Sequence, residues 1–358
     1  MQEIISAFAL DGQAERCKPF GSGHINQTYC VVTDKGHKYI LQKVNTGVFP
    51  NGAGLMNNII LVTDHLRKKD SDPRHVLTLV PTKDGRMYIS QGENELWRVY
   101  EFVTGGISLD RAETPEDFRL SGLAFGTFQR QMADFSAEKL VEVIPGFHDT
   151  PKRYGTFHKA IEEDKLGRVK NVQPEIDFIL SRETGAGKMT DLLKQGELPL
   201  RVTHNDTKLN NVMLDEKTRQ PLCILDLDTV MPGLVGNDFG ESIRFGASTA
   251  AEDEPDTAKV HVDLMMYEVF ARGFLGACGE QLTETEKETL PDGARLMSLE
   301  NGMRFLTDYL EGDTYFHVAR PEHNLDRCRA QLALVQEMEE KEEQIRKIMV
   351  RVCAEKKI

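Results

Sequence analysis

Short runs in which apolar and polar residues alternate fill the first hundred positions, the period of half-buried strands. Residues 28–33 and 39–44, joined by Asp34-Lys35-Gly36, read as a hairpin. Residues 76–81, 87–90 and 97–103, with Asp84-Gly85 as punctuation, read the same way. Between them Leu55, Ile59, Leu61, Val62 and Leu66 form one helical stripe, so the pattern predicts an antiparallel sheet with one packed helix.

After Thr104-Gly105-Gly106 the period changes to helical. Thr114-Pro115-Glu116-Asp117 supplies an N-cap, a first-turn proline and an acidic first turn, and Phe118, Phe125, Phe128 and Met132 mark the face that follows. Further helices are expected around 157–166, 174–181, 260–275, 300–310 and 325–352. The boundary drawn from this change lies near residue 104, giving a small lobe over 1–104 and a larger one over 105–358. The class is α+β.

Composition narrows the function. The 358 residues carry 44 basic and 57 acidic side chains, a net charge of −13, and only a short basic run, Arg67-Lys68-Lys69, which argues against a nucleic-acid partner. No stretch approaches the ~20 apolar residues that cross a bilayer, and the start lacks a signal-peptide layout, so the expectation is a cytosolic protein without a membrane partner. The six cysteines are scattered without CxxC pairs and read as reduced. The sequence leaves the oligomeric state open and is compatible with a monomer.

Inside the helical half, residues 200–214 and 222–229 carry strand signals around a polar turn. His204-x-Asp206-x4-Asn211 has the spacing of a phosphotransfer catalytic loop, and Asp226 stands fifteen positions further on, where a second metal carboxylate belongs. Phosphoryl transfer needs a carboxylate to orient the attacking hydroxyl and take its proton, which falls to Asp206. It also needs oxygen ligands for Mg²⁺, here Asn211 and Asp226, and a cation near the moving charge, here Lys208. His204 reads as a support of the loop backbone. Asp228 reads equally as a contact to substrate or metal and as a turn cap, while Asp238, Glu241 and Arg244 read as a structural charge cluster.

Gly21-Ser22-Gly23 places two glycines between strands, as a plain hairpin turn or as a loop whose N–H groups approach ATP phosphates. Glu101 to Val103 would then offer backbone groups to adenine. A kinase strand lysine has two candidates on opposite faces, Gln42 and Lys43, with Lys43 the one able to carry the charge. The helix over 55–66 holds no Glu to pair with it.

Taken together, Gly21-Ser-Gly-His-Ile-Asn26, Thr203-His-Asn-Asp-Thr-Lys-Leu-Asn-Asn211, Asp226-Leu-Asp-Thr-Val-Met-Pro-Gly233 and the segment from Gly302 to Phe316 resemble the N-acetylhexosamine 1-kinases. These belong to the aminoglycoside phosphotransferase and choline kinase-like superfamily. The resemblance implies a bilobal protein kinase-like fold and ATP- and Mg²⁺-dependent phosphorylation of the anomeric hydroxyl of N-acetylglucosamine or N-acetylgalactosamine. It also implies that His24, Arg304 and Tyr315 contact the sugar while its C1 hydroxyl meets Asp206. The rival readings are the same fold with another acceptor (another sugar, an aminoglycoside, homoserine or choline) and a nucleotide-binding scaffold without turnover.

Overall fold

The structure is a computed structural model that describes residues 1–21, 25–92 and 95–355. Its contacts divide into two compact units. The first comprises Met1–Ser108, Asp134–Pro145 and Val212–Pro232; the second comprises Leu109–Ala133, Gly146–Asn211 and Gly233–Ile358.

The first unit is built on a five-stranded antiparallel sheet. In chain order it contains α1 (Gln2–Ala7), β1 (Ala14–Pro19), β2 (Gln27–Thr33), β3 (Lys38–Val44), α2 (Gly52–Lys69), β4 (Ile89–Ser90) and β5 (Leu96–Glu101), with sheet order β1-β2-β3-β5-β4. The expected hairpin is β2–β3, in register through Cys30 and Ile40. Alternation sorts the side chains. Tyr39, Leu41, Trp97 and Val99 pack with Ile4, Ile5 and Phe8, so Gln42, Arg98 and Tyr100 take the other face. Asn51 caps α2 by accepting from Gly54 N–H, and Arg67, Lys68 and Lys69 complement its C-terminal dipole.

One expectation for the strands needs correction. Residues 76–81 form a single bridge, Leu79 to Tyr100, instead of a strand, because Pro81 has no N–H to continue a ladder. The edge strand β1 escapes the alternation rule, since its sequence AERCKP is mostly exposed and polar. A second, three-stranded antiparallel sheet joins Gly106–Ser108, Val212–Asp215 and Pro221–Ile224.

The second unit is helical: α3 (Pro115–Met132), α4 (Thr150–Glu163), α5 (Gln173–Leu180), α6 (Glu183–Ala186), α7 (Lys188–Lys194), α8 (Val235–Gly246), α9 (Leu264–Cys278), α10 (Glu284–Glu311), α11 (His323–Glu340) and α12 (Glu342–Ala354). Thr114 and Asp117 close a reciprocal capping box on α3. The core gathers Phe157, Met297, Met303, Leu306 and Val335 around α10, which packs on α4, α8 and α11. A Cβ on Gly240 of α8 would run into the Gly293 carbonyl of α10. The two backbones therefore touch, and only glycine permits this approach. The helix expected over 325–352 is instead two, α11 and α12. Lys341 makes the corner: its Nζ pairs with Glu337 at 2.9 Å and donates to Val262 O at 3.1 Å. No helix among the described residues is long and apolar enough to cross a membrane.

Candidate active site

Within the second unit the strand Arg201–Thr203 delivers the chain to a loop built around a buried carboxylate. Asp238, on α8, accepts N–H bonds from His204 (2.9 Å) and Asn205 (2.7 Å), and a third from Gln129 Nε2 of α3 (2.8 Å). Its own carbonyl accepts Thr207 Oγ1, whose backbone carbonyl in turn accepts Ser242 Oγ. Burial pushes the Asp238 carboxyl up, against N–H donors that favour its charged form. Asn205 sits at φ 63°, the left-handed turn that these bonds hold in place. His204 lies between the rings of Phe125 and Phe128, and its Nδ1 accepts Asp206 N–H at 3.3 Å.

Asp206 is thus aimed by its backbone, and its two oxygens are distinguished. Oδ1 pairs with Lys208 Nζ at 2.9 Å, while Oδ2 accepts Asn211 Nδ2 at 3.0 Å. Asp206 holds the Lys208 amine well above the ordinary lysine range, so the amine stays cationic. Because Asn211 Nδ2 donates to both Asp206 O and Oδ2, its amide is oriented with the oxygen turned away as a hard donor. Among the described residues no group of three or more His, Cys, Asp or Glu is gathered for a metal.

Asp226 belongs to the first unit, in left-handed backbone (φ 54°, ψ 63°) ahead of the single turn Leu227–Thr229. Asp228, read from sequence as contact or cap, is instead buried on Arg98. Arg98 Nη1 lies 2.5 Å from Asp228 Oδ1, and Asn26 Nδ2 donates to Asp228 Oδ2 at 2.6 Å. The two strand candidates separate cleanly. Lys43 pairs with Glu95 at 2.9 Å and lies over Trp97, while Gln42 Oε1 accepts Arg98 Nε and Nη2 at 3.0 and 2.8 Å. Gly21 has φ 80°; Ser22, Gly23 and His24 lie outside the described residues. Glu101 ends β5 with its N–H on Thr78 O, Phe102 N–H reaches Lys38 O, and Val103 follows.

Arg304 and Tyr315 meet in a cavity of about 130 Å³ lined also by Arg153, Phe316 and Asp308. Arg304 lies over three rings, Phe147 (5.3 Å), Tyr315 (5.9 Å) and Phe316 (5.4 Å). Its Nη1 donates to Asn301, and Asn301 Nδ2 reaches Glu241 Oε2 at 3.4 Å. Glu241 and Lys208 sense each other's charge, so polar side chains of α8 and α10 link the cavity wall to the loop that carries Asp206. Burial and the neighbouring Arg304 both push the Arg153 guanidinium down. Both carboxylate oxygens of Asp308 are engaged, accepting the N–H groups of Thr314, Tyr315 and Phe316 and Asn324 Nδ2. Arg153 and Phe147 went unread in the sequence because neither lies in a motif. The supposed charge cluster divides into Asp238, the loop anchor, and a Glu241–Arg244 ion pair (Nε to Oε2, 2.9 Å).

That pair makes acid stability testable. Burial opposes the Glu241 charge, but Arg244 overcomes it and holds the carboxyl down to about 2. A folded value below the ordinary glutamate range contributes stability above that range, which is lost as pH falls toward 2. Glu241→Gln is therefore expected to lower unfolding free energy at pH 7 by up to about 3 kcal/mol, with the deficit vanishing near pH 2. Urea titrations at stepped pH check this; a deficit independent of pH would assign the loss to packing.

The profile of the phosphotransferase enzyme family matches residues 16–274. The chain belongs to this family. Solved structures agree on the fold. A microcompartment-associated aminopropanol kinase superposes with a TM-score of 0.62 at 16% identity, covering 96% of this chain and 97% of its own. An aminoglycoside phosphotransferase from Alicyclobacillus acidocaldarius gives 0.64 at 12% identity, covering 98% and 96%. An amicoumacin kinase in complex with AMP-PNP, Ca²⁺ and Ami gives 0.63 at 15% identity, covering 92% and 91%. The expected α+β, protein kinase-like fold is therefore the fold of this phosphotransferase.

Proposed function

We propose that this chain transfers the γ-phosphoryl group of ATP to the anomeric C1 hydroxyl of an N-acetylhexosamine, giving the sugar 1-phosphate and ADP. In this reading the bond from O1 to phosphorus forms as the bond to the β–γ bridging oxygen breaks, and the hydroxyl proton passes to Asp206. Lys208 neutralises charge on the moving group. Asn211 and Asp226 supply oxygen ligands for Mg²⁺, which, when bound, screens the phosphate charge. The glycines at 21 and 23 approach the phosphates, and Val103 offers adenine the N–H that Glu101 and Phe102 have engaged elsewhere. With six free cysteines and an ATP requirement, the enzyme works in the cytosol.

The observation that supports a sugar is the cavity on α10. Two guanidiniums, Arg153 and Arg304, line it with Tyr315 and Phe316, and the Asp308 carboxylate there is already saturated with N–H donors. Hydroxyl and acetamido oxygens suit such donors, and aromatic faces suit a pyranose ring. A cationic acceptor would lie beside Arg153 and Arg304. Glu311, also on the cavity, favours the second reading, an amine-bearing acceptor such as those named for the structural relatives.

Metal-dependent ADP release with N-acetylglucosamine, N-acetylgalactosamine, galactose, choline, 1-amino-2-propanol and kanamycin separates the two, with products assigned by phosphorus NMR. An anomeric phosphate on an N-acetylhexosamine is expected, with kcat/KM at least about 100-fold above every cationic acceptor, a gap that two like-charge contacts of a kcal/mol or more supply. Comparable turnover of a cationic acceptor would sink the sugar assignment and leave the phosphotransferase.

A further inference from the structure

Among the described residues the β3 lysine, Lys43, pairs with Glu95 and α2 carries no glutamate, while the first unit holds another polar pair on the opposite face of the sheet. Gln42 and Arg98 are direct partners across β3 and β5. Gln42 Oε1 fixes Arg98 Nε and Nη2, which leaves Nη1 for Asp228, two residues beyond Asp226. Both members of the ion pair are buried, Arg98 1% and Asp228 2% exposed, and the Tyr100 ring lies 5.2 Å from the guanidinium. Asp228 also accepts Asn26 Nδ2, and Asn26 Oδ1 accepts Asn45 N–H, so the residue ahead of β2 is tied to the same carboxylate. Helix α2 joins in without a glutamate. Asn58 Nδ2 donates to Val230 O at 2.9 Å, closing the turn from its far end.

Asp226 holds a left-handed backbone that a non-glycine residue adopts at a cost of about 1–2 kcal/mol and keeps only where its surroundings over-determine it. Asp228 and Val230 are the points where this turn is pinned. A buried ion pair contributes little net stability compared with apolar side chains of the same volume. What this one supplies is geometry.

We propose that Arg98 is a positioning residue for the metal-binding turn: by gripping Asp228 it fixes the backbone at Asp226, in place of the strand-lysine and helix-glutamate pair. This rests on the phosphotransfer reading of Asp226. Arg98 acts through Asp228 and touches neither phosphate nor acceptor.

The test is Mn²⁺ binding to the full chain in the presence of AMP-PNP, followed by electron paramagnetic resonance, for wild type, Arg98→Lys and Asp228→Asn. At least a tenfold loss of Mn²⁺ affinity is expected in both variants. Half-maximal activity should require about tenfold more metal, with kcat recovering at saturation and acceptor KM unchanged. Lower melting temperatures with Mn²⁺ affinity within twofold of wild type would make the pair merely structural and overturn the proposal. Should both variants fail to fold, Gln42→Ala frees the Arg98 fork while keeping both charges; a loss of about threefold is expected, and unchanged affinity overturns the proposal equally. If wild type itself holds no Mn²⁺ with AMP-PNP, the assignment of Asp226 falls first and the proposal with it, an outcome distinct from a binding wild type whose variants bind alike.

Discussion

Asp206→Asn is expected to lower kcat by about 10³-fold, within the 10²–10⁴ range of a lost general base, while AMP-PNP affinity stays within a few-fold of wild type. The geometry says why an isosteric change suffices. Asp206 faces donors on both oxygens, Lys208 Nζ at Oδ1 and Asn211 Nδ2 at Oδ2. The new amide can accept from only one of them and cannot take a proton from the attacking hydroxyl. If its NH₂ faces Asn211, that side chain must turn over to accept, exchanging its outward oxygen for nitrogen, so a modest rise in metal requirement should accompany the loss. Single-turnover assays with nucleotide binding measured in parallel decide it. Activity within tenfold of wild type would remove Asp206 from the role of base.

The grouping of Asp206, Lys208 and Asn211 was legible because it is local: one carboxylate, one amide and a lysine within six positions, on a segment with strand signals in a helical region. The N-terminal hairpin was legible for the same reason, through alternation and a turn. Long-range partners were not. Arg98 finds Asp228 across 130 positions and Gln42 on a neighbouring strand, and periodicity carries no pairing information over such distances. Helix α8 shows the opposite failure. From Val235 to Arg244 every residue of it is buried, so its polar face, with Asn237, Asp238, Glu241 and Arg244, meets protein where the pattern alone suggests water. Its Asp238, Glu241 and Arg244 read from sequence as a structural charge cluster, and they are among the most enclosed charges of the second unit. Charged residues in a segment buried all round need partners: Glu241 and Arg244 find each other one turn apart, while Asp238 takes N–H groups from His204 and Gln129, which spacing could not supply.

Asp238→Asn follows from that burial and is expected to be the second large effect, although the residue touches no reacting atom. Its carboxylate receives three N–H donors from His204, Asn205 and Gln129. An asparagine of the same shape keeps one acceptor oxygen and turns an NH₂ toward the remaining donors. One or two buried N–H groups then lose their partner, at about 1–3 kcal/mol each, and the left-handed turn at Asn205 loses what holds it. The loop can relax by shifting Asp206, and a displacement of about 1 Å costs roughly 100-fold in rate. The expected result is therefore a fall in kcat of about that size, acceptor KM within threefold of wild type because the α10 cavity is untouched, and a melting temperature lower by several degrees. Steady-state kinetics beside thermal melts separate the cases: a lower melting temperature with kcat intact would make Asp238 a stability residue only, whereas equal losses in kcat and kcat/KM place it behind the transition state.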